Sequence, residues 1–305
     1  MGAADNGAMH LLVPFASALS EAGRHTLRDL ALPHLDRALA RLAPTARLGT
    51  DEYSLTPPHE AALAAARGWQ GGAGTLPFAA HAAQADGIEV LDLAWGLLTP
   101  VHWHLGRDQV TLADPDALAL DETASRALFE AVRELFESEG FALAWGAPQR
   151  WYAAHESLVD LPCASIDRVV GRNVDRWLPE GRPARLLRRL QNEVQMLLYS
   201  HPLNDAREAQ GALPVNSFWL SGCGRRQDVE GEEPHADTRL RAPLLSEDWA
   251  AWAEAWRALD AEIGRLTDRL AAIESETQRR DLERDELRSA ISAQGGDRME
   301  RLRQE

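Results

Sequence analysis

The sequence predicts an α/β protein: a mixed or mostly parallel sheet flanked by helices, followed by a charged C-terminal helix. Hydrophobic residues make up 45% of the 305 positions, and ten of them are Trp, enough apolar surface for a sizeable core. Helical and strand-like patterns alternate along most of the chain. From Asp248 onward the pattern is helical and highly charged.

The first elements are a short strand and three helices. The apolar run His10–Phe15 predicts a buried strand. A helical pattern follows over 20–42, and Pro33 should divide it into two helices because proline removes a backbone donor. Pro57 and Pro58 open an Ala-rich helix that ends near Gly68.

The middle of the chain predicts strands followed by a well-delimited helix. The strand candidates are 88–93, 101–105 and 109–112. Asp121 is a good helix N-cap, and Gly140 is a good terminator because it tolerates positive φ. A further strand is predicted over 141–145.

The second half contains the clearest amphipathic helix, Arg185–Ser200, with apolar residues at helical spacing. Pro202 should stop this helix. Val215–Leu220 predicts a short strand, and the turn Gly222-Cys223-Gly224 follows it.

Two features mark the predicted C-terminal helix. The C-terminal helix has a short coiled-coil seam at Leu259, Ile263, Leu266, Leu270 and Ile273. Trp249, Trp252 and Trp256 share one face of it, which favours docking onto the main domain, with a partner-binding stripe as the alternative. The predicted organisation of the chain therefore has five parts: a flexible tail (1–9), an α/β domain (10–226), an acidic linker (227–247), the C-terminal helix (248–292) and a disordered tail (293–305).

Composition excludes several classes of function. The net charge of −15 disfavours nucleic-acid binding, and the absence of Lys excludes Schiff-base and P-loop lysine chemistry. Two Cys residues, Cys163 and Cys223, cannot build a four-Cys zinc site. Neither a signal peptide nor a membrane span is readable, so the cytoplasm is the expected location.

The segment from His201 to Gly224 provides the most specific pattern. It contains His-Pro-x-Asn-x-x-Arg, then a Gly, a Pro, an Asn, an apolar strand and Gly-x-Gly. It resembles the archaeal-type cofactor-independent phosphoglycerate mutases of the alkaline-phosphatase superfamily. Together with Thr99–Trp103, Gly171–Trp177 and Gln191–Leu198, it also resembles the RpfE-type bacterial regulatory proteins, whose mutase-like domain corresponds to about 10–224.

The resemblance implies a scaffold and not the catalytic residues. The mutases use a nucleophilic Ser and two metals held by Asp and His clusters, beginning with Asp-Gly after the first strand. Here Pro14 and Phe15 follow that strand. We therefore expect a regulatory or metabolite-sensing protein that is not an enzyme. The alternatives are an active metal-dependent, mutase-like phosphoryl-transfer enzyme and an interaction protein that dimerises through its C-terminal helix.

The candidate site is an anion pocket for a small phosphorylated or carboxylated metabolite. Arg207 offers a guanidinium fork, and the amides of Asn204 and Asn216 with the backbone of Gly222 and Gly224 could add donors. A structural role for the same five residues, in caps, turns and ion pairs, is the alternative.

No cofactor is expected, with a divalent metal as the alternative. His102 and His104 are weak metal candidates, since residues two apart on a strand face the same side. A homodimer or a protein partner could bind the C-terminal helix, and neither nucleic acid nor membrane is expected as a partner.

Overall fold

The computed structural model describes residues 10–48, 51–231 and 233–304. The predicted flexible tail, 1–9, lies outside the described residues. The chain divides into two compact units. Among the described residues, the first combines 10–14 with the range 47–238, and the second combines Phe15–Ala46 with the range from Arg239 to Gln304.

A four-stranded sheet forms the centre of the first unit. Its strands are β2 (Ala94–Val101), β5 (Ala142–Ala147), β6 (Arg150–Ala154) and β7 (Ser217–Arg225). Their order is β5-β6-β2-β7 and every neighbouring pair is antiparallel. The α/β class with flanking helices and a long C-terminal helix is confirmed. The mixed or mostly parallel pairing is corrected for these four strands: β5 and β6 form a tight hairpin, which requires antiparallel strands. Parallel pairing joins Leu11–Leu12 to His235–Ala236 instead.

Helices cover both faces of this sheet. Side chains alternate between the two faces along each strand, and large apolar residues point to both of them. On one face, Leu98 and Trp151 pack in the same core as Phe136 and Leu190 of two long amphipathic helices. On the other face, Trp95 and Tyr152 pack against the alanines of a short helix. The helices are α4 (Phe78–Ala85), α5 (Glu122–Glu137) and α7 (Arg182–Tyr199).

Smaller elements complete the first unit. The helix α7 ends before Pro202, as predicted, and Pro202 is also the first residue of the next helix. Residues 88–93, predicted as a strand, form an irregular segment with a turn at Leu91 and Asp92 before β2. The elements are β1 (Leu11–Leu12), α3 (Pro58–Ala66), β3 (Trp103–Leu105), β4 (Val110–Leu112), α6 (Ile166–Val169), α8 (Pro202–Ala209) and β8 (His235–Ala236).

The second unit is helical. Trp252 and Trp256 are buried, and Trp252 Nε1 donates to the carbonyl of Phe15 at 3.2 Å. The Asp260 carboxylate accepts the backbone N–H groups of His34 (3.4 Å) and Leu35 (2.7 Å), so it caps a helix N-terminus. The helices are α1 (Glu21–Asp29), α2 (Pro33–Leu39), α9 (Arg241–Leu245) and α10 (Trp249–Gln304).

These boundaries differ from the predicted ones. Residues 15–46 group with α10 and not with the α/β unit, because the buried face of α10 packs against α1 and α2. The predicted linker, 227–247, contains β8 and α9. The range 293–305, predicted as a disordered tail, is helical to Gln304. Across the described residues, every helix is too short or too polar to cross a lipid bilayer.

Candidate functional site

Asn204 lies in α8 and is buried, with 4% of its surface exposed. His201 caps this helix by accepting the N–H of Leu203 at Nδ1 (3.2 Å). The Asn204 amide donates to the carbonyls of Leu198 and Val215, both at 2.8 Å, and its Oδ1 accepts the N–H of Val215 at 2.9 Å. The side chain therefore joins the end of α7 to the segment that enters β7.

Arg207 and Asn216 also bind the main chain. The Arg207 guanidinium donates to the carbonyls of Leu213 (2.9 Å) and Leu118. Asn216 Oδ1 accepts the N–H of Trp103 at 2.7 Å, and its amide donates to the Trp103 carbonyl at 2.9 Å. The contacts of Asn204, Arg207 and Asn216 favour the structural role that the sequence left open.

Gly222 and Gly224 lie at an irregularity in the pairing of β7 with β2. Gly222 has a φ of +63°, and a Cβ there would lie 2.9 Å from the backbone nitrogen of Ala79 in α4. Gly224 has a φ of +148°, and a Cβ there would lie 3.3 Å from Cβ of Pro77. Both glycines therefore allow the start of α4 to approach the sheet closely.

His102 and His104 have ring centroids 6.3 Å apart. His102 Nδ1 lies 2.9 Å from the carbonyl oxygen of Pro214, which gives this imidazole a main-chain partner. Neither histidine belongs to the group of metal-ligating side chains found among the described residues. That group is formed by other residues.

His59, Glu60 and Asp167 form this group, with one ligand atom of each within 4.8 Å of the others. His59 Nε2 lies 3.1 Å from Asp167 Oδ2, and the Ser165 hydroxyl donates to Glu60 Oε1 at 2.5 Å. Burial raises the pKa of the Glu60 carboxyl to about 7, against the opposing effect of the Ser165 hydrogen bond. A metal ion or a proton could neutralise this group.

Sequence reasoning missed the group because its parts are 108 residues apart. The helix starts at Pro58 and at Ser165 were the available signals, since His59, Glu60 and Asp167 all lie in first helical turns. No pattern in the sequence indicates that the two starts meet.

The two cysteines also meet. Cys163 Sγ and Cys223 Sγ lie 3.6 Å apart and both residues are buried. The hydrogen bond with Cys163, with burial, raises the pKa of the Cys223 thiol well above its ordinary value. Because the thiolate is the reactive form, the raised pKa and the full burial of Cys223 disfavour nucleophilic chemistry there.

Comparison with known proteins gives partial similarity to cofactor-independent phosphoglycerate mutases. The chain is 28% identical over 123 residues to a probable 2,3-bisphosphoglycerate-independent phosphoglycerate mutase of Geobacter sulfurreducens, covering 39% of this chain and 30% of the relative. It is 31% identical over 62 residues to the corresponding mutase of Methanosarcina mazei, covering 20% and 16%. The chain thus spans less than a third of the length of these relatives.

Part of the chain is also similar to a solved structure. The cofactor-independent phosphoglycerate mutase of Thermoplasma acidophilum aligns with a TM-score of 0.36 and 15% identity, covering 50% of this chain and 41% of that chain. No protein-family model matches the chain.

Proposed function

We propose that the chain is a regulatory protein of the RpfE type, located in the cytoplasm, without phosphoglycerate mutase activity. One observation carries the proposal: in the mutase-like segment, Asn204, Arg207 and Asn216 direct side-chain hydrogen bonds to main-chain groups of this chain. Residues used in this way support a scaffold role. The similarity to the mutases is then a similarity of framework.

The metal chemistry supports the same proposal. A two-metal phosphoryl-transfer site needs several carboxylates and imidazoles in one cleft. In the described part of the chain, the group of metal-ligating side chains consists of three residues, His59, Glu60 and Asp167. Three ligand side chains are enough to hold one metal ion but too few to hold two.

The test of the proposal is a direct assay of 2- and 3-phosphoglycerate interconversion. The full chain is assayed after chelation and again with added Mn²⁺, beside an active cofactor-independent mutase as positive control. We expect background rates in both conditions. A rate that depends on the metal and on the concentration of this chain would overturn the proposal.

A sensing role is the finer part of the proposal, with a small phosphorylated or carboxylated metabolite as the ligand. Thermal unfolding with 3-phosphoglycerate or inorganic phosphate tests it, because a ligand that binds the folded state raises the midpoint. The same ligand-induced rise of the midpoint is measured for Arg207→Ala, relative to the ligand-free variant, to test whether the segment 201–224 binds the ligand. If the ligand stabilises both proteins equally, the segment 201–224 is not the binding site; if it stabilises neither, the sensing role fails.

A second candidate is self-association through α10. Leu259 and Ile263 are buried, whereas Leu270 and Ile273 continue the same heptad spacing with 40% and 57% of their surface exposed. We propose that this exposed part of the seam pairs with a second copy. Light scattering on Leu270→Glu/Ile273→Glu should then report a monomer, while Leu282→Glu, exposed but off the seam, stays dimeric. A monomeric wild-type chain at micromolar concentration would exclude this candidate.

A further inference from the structure

The starts of α3 and α6 bring three metal-ligating side chains together. His59 and Glu60 lie in the first turn of α3, and Asp167 lies in the first turn of α6. One ligand atom from each lies within 4.8 Å of the other two. His59 and Asp167 are mostly enclosed, with 18% and 15% of their side-chain surface exposed.

Backbone contacts on both sides fix this arrangement. The N–H of Ser165 donates to the carbonyl of Leu55 at 2.9 Å, and the N–H of Gly74 donates to the Thr56 hydroxyl at 2.7 Å. Ser165 also caps α6 through its hydroxyl, which accepts the N–H of Asp167 at 3.3 Å. The two helix starts are therefore connected independently of the three ligand side chains, as a preorganised site requires.

The charges around the group act in both directions. Two carboxyl groups in an enclosed space attract a cation. Arg168, whose guanidinium donates to the carbonyls of Asp51 and Thr56 at 3.3 Å, opposes it, and so do the positive ends of the two helix dipoles. A weakly charged site of this kind needs an ion that also gains from the imidazole nitrogen.

We propose that His59, Glu60 and Asp167 bind one divalent transition-metal ion, of which Zn²⁺ is the best fit. Zn²⁺ accepts imidazole and carboxylate ligands together, at about 2.0–2.2 Å, whereas Mg²⁺ and Ca²⁺ prefer all-oxygen sites. The His59–Asp167 pair, at 3.1 Å, already has the spacing of two ligands on one ion. The ion joins α3 to α6, and water completes its coordination. This site is independent of the proposed regulatory function.

The test is a titration of the full chain with ZnCl₂ after removal of metal by a chelator. Calorimetry and the metal content after desalting should both give one zinc per chain, and Mn²⁺ should compete more weakly, following the usual order of affinities. Asp167→Asn and His59→Gln should each weaken binding at least tenfold. His102→Gln/His104→Gln, which removes the other histidine pair, should bind as the wild type does.

Circular dichroism of each variant separates loss of binding from loss of folding. Should Asp167→Asn fail to fold, Glu60→Gln gives the same test, because the amide keeps the shape of the side chain and loses its charge. Binding of less than one zinc per chain, or binding that survives these substitutions and disappears with His102→Gln/His104→Gln, would overturn the proposal. A mutase assay has no bearing on either result.

Discussion

The side chain of Asn204 pairs with both the backbone N–H and the backbone C=O of Val215. Asn204 Oδ1 accepts the Val215 N–H at 2.9 Å, and the Asn204 amide donates to the Val215 carbonyl at 2.8 Å. The carboxamide thus supplies the backbone of Val215 with the donor and the acceptor that a neighbouring β-strand would otherwise provide. Asn216 has the same relation to Trp103, so two asparagines twelve positions apart fix the chain just before β7.

Asn204→Ala should lower the free energy of unfolding by about 2–4 kcal/mol. The substitution leaves buried backbone groups of Leu198 and Val215 without partners, and each such group costs about 1–3 kcal/mol. Urea denaturation measures the change. Asp205→Ala, at an exposed position of the same helix, is the control and should change the value by less than about 0.5 kcal/mol. Equal effects of the two substitutions would contradict a scaffold role for Asn204.

Arg207→Ala should also destabilise the protein, by about 1–3 kcal/mol. The carbonyls of Leu118 and Leu213 lose a charged donor, and hydrogen bonds to charged groups are the stronger ones. An anion-binding Arg207 pointing into a cleft would instead leave stability nearly unchanged on truncation. Urea denaturation of Arg207→Ala, with Arg176→Ala at an exposed arginine as the control, decides between a scaffold role and an anion-binding role of Arg207.

Asp86 should make stability dependent on pH in the acid range. Its carboxylate accepts from the Arg150 guanidinium at 2.8 and 2.9 Å and from the Tyr152 hydroxyl at 2.7 Å, and the Arg150 hydrogen bond, most of all, lowers the pKa of Asp86. A lowered folded-state pKa stabilises the protein above the unfolded value of about 3.9, and this stabilisation is lost as the pH falls through the folded-state pKa.

The measurement compares wild type with Asp86→Asn between pH 7 and pH 3. At pH 7 the variant should be less stable by about 1–2 kcal/mol, since Arg150 is half exposed and solvent weakens its contribution. The difference should shrink below about pH 4. Asp92→Asn removes an ion pair with Arg225 from a carboxylate that is 95% exposed, and should show neither effect.

Local signals predicted some elements of the fold well. Asp121 caps α5 by accepting the N–H of Ala124 at 2.8 Å, and Gly140 follows the helix with a φ of +84°. The apolar stripe of α7 is buried at Leu190, Val194 and Leu198. These features depend on residues within a few positions of one another, so the sequence contains the information.

Features that depend on distant partners were not readable. The strand predicted at 88–93 lies instead at 94–101, because pairing with β6 and β7 selects the segment. Five of the eight residues of α4 are alanine, and the helix has no stripe of large apolar residues. The group of His59, Glu60 and Asp167 joins two helix starts that the sequence separates by 108 positions. The anion-pocket residues were recognised as a set, but only their contacts indicate a structural role.

Gly222, which the sequence placed in the anion pocket, should not tolerate a side chain. Its φ of +63° disfavours any residue with a Cβ, and that Cβ would lie 2.9 Å from the Ala79 nitrogen and 3.0 Å from Phe78 Cβ. Gly211 is the matched control, because its φ of +74° carries the same backbone penalty while nothing lies within 4 Å of the added Cβ. The difference between Gly222→Ala and Gly211→Ala therefore measures the packing of α4 on β7.

Gly211→Ala should cost about 1–2 kcal/mol, the price of a left-handed conformation for a residue with a Cβ. Gly222→Ala should cost at least about 2 kcal/mol more, because the start of α4 has to move away from the sheet. Urea denaturation of both variants gives the two values. Were they equal, the close approach of α4 would not be what requires a glycine at 222, and a role for its backbone N–H in binding an anion would regain support.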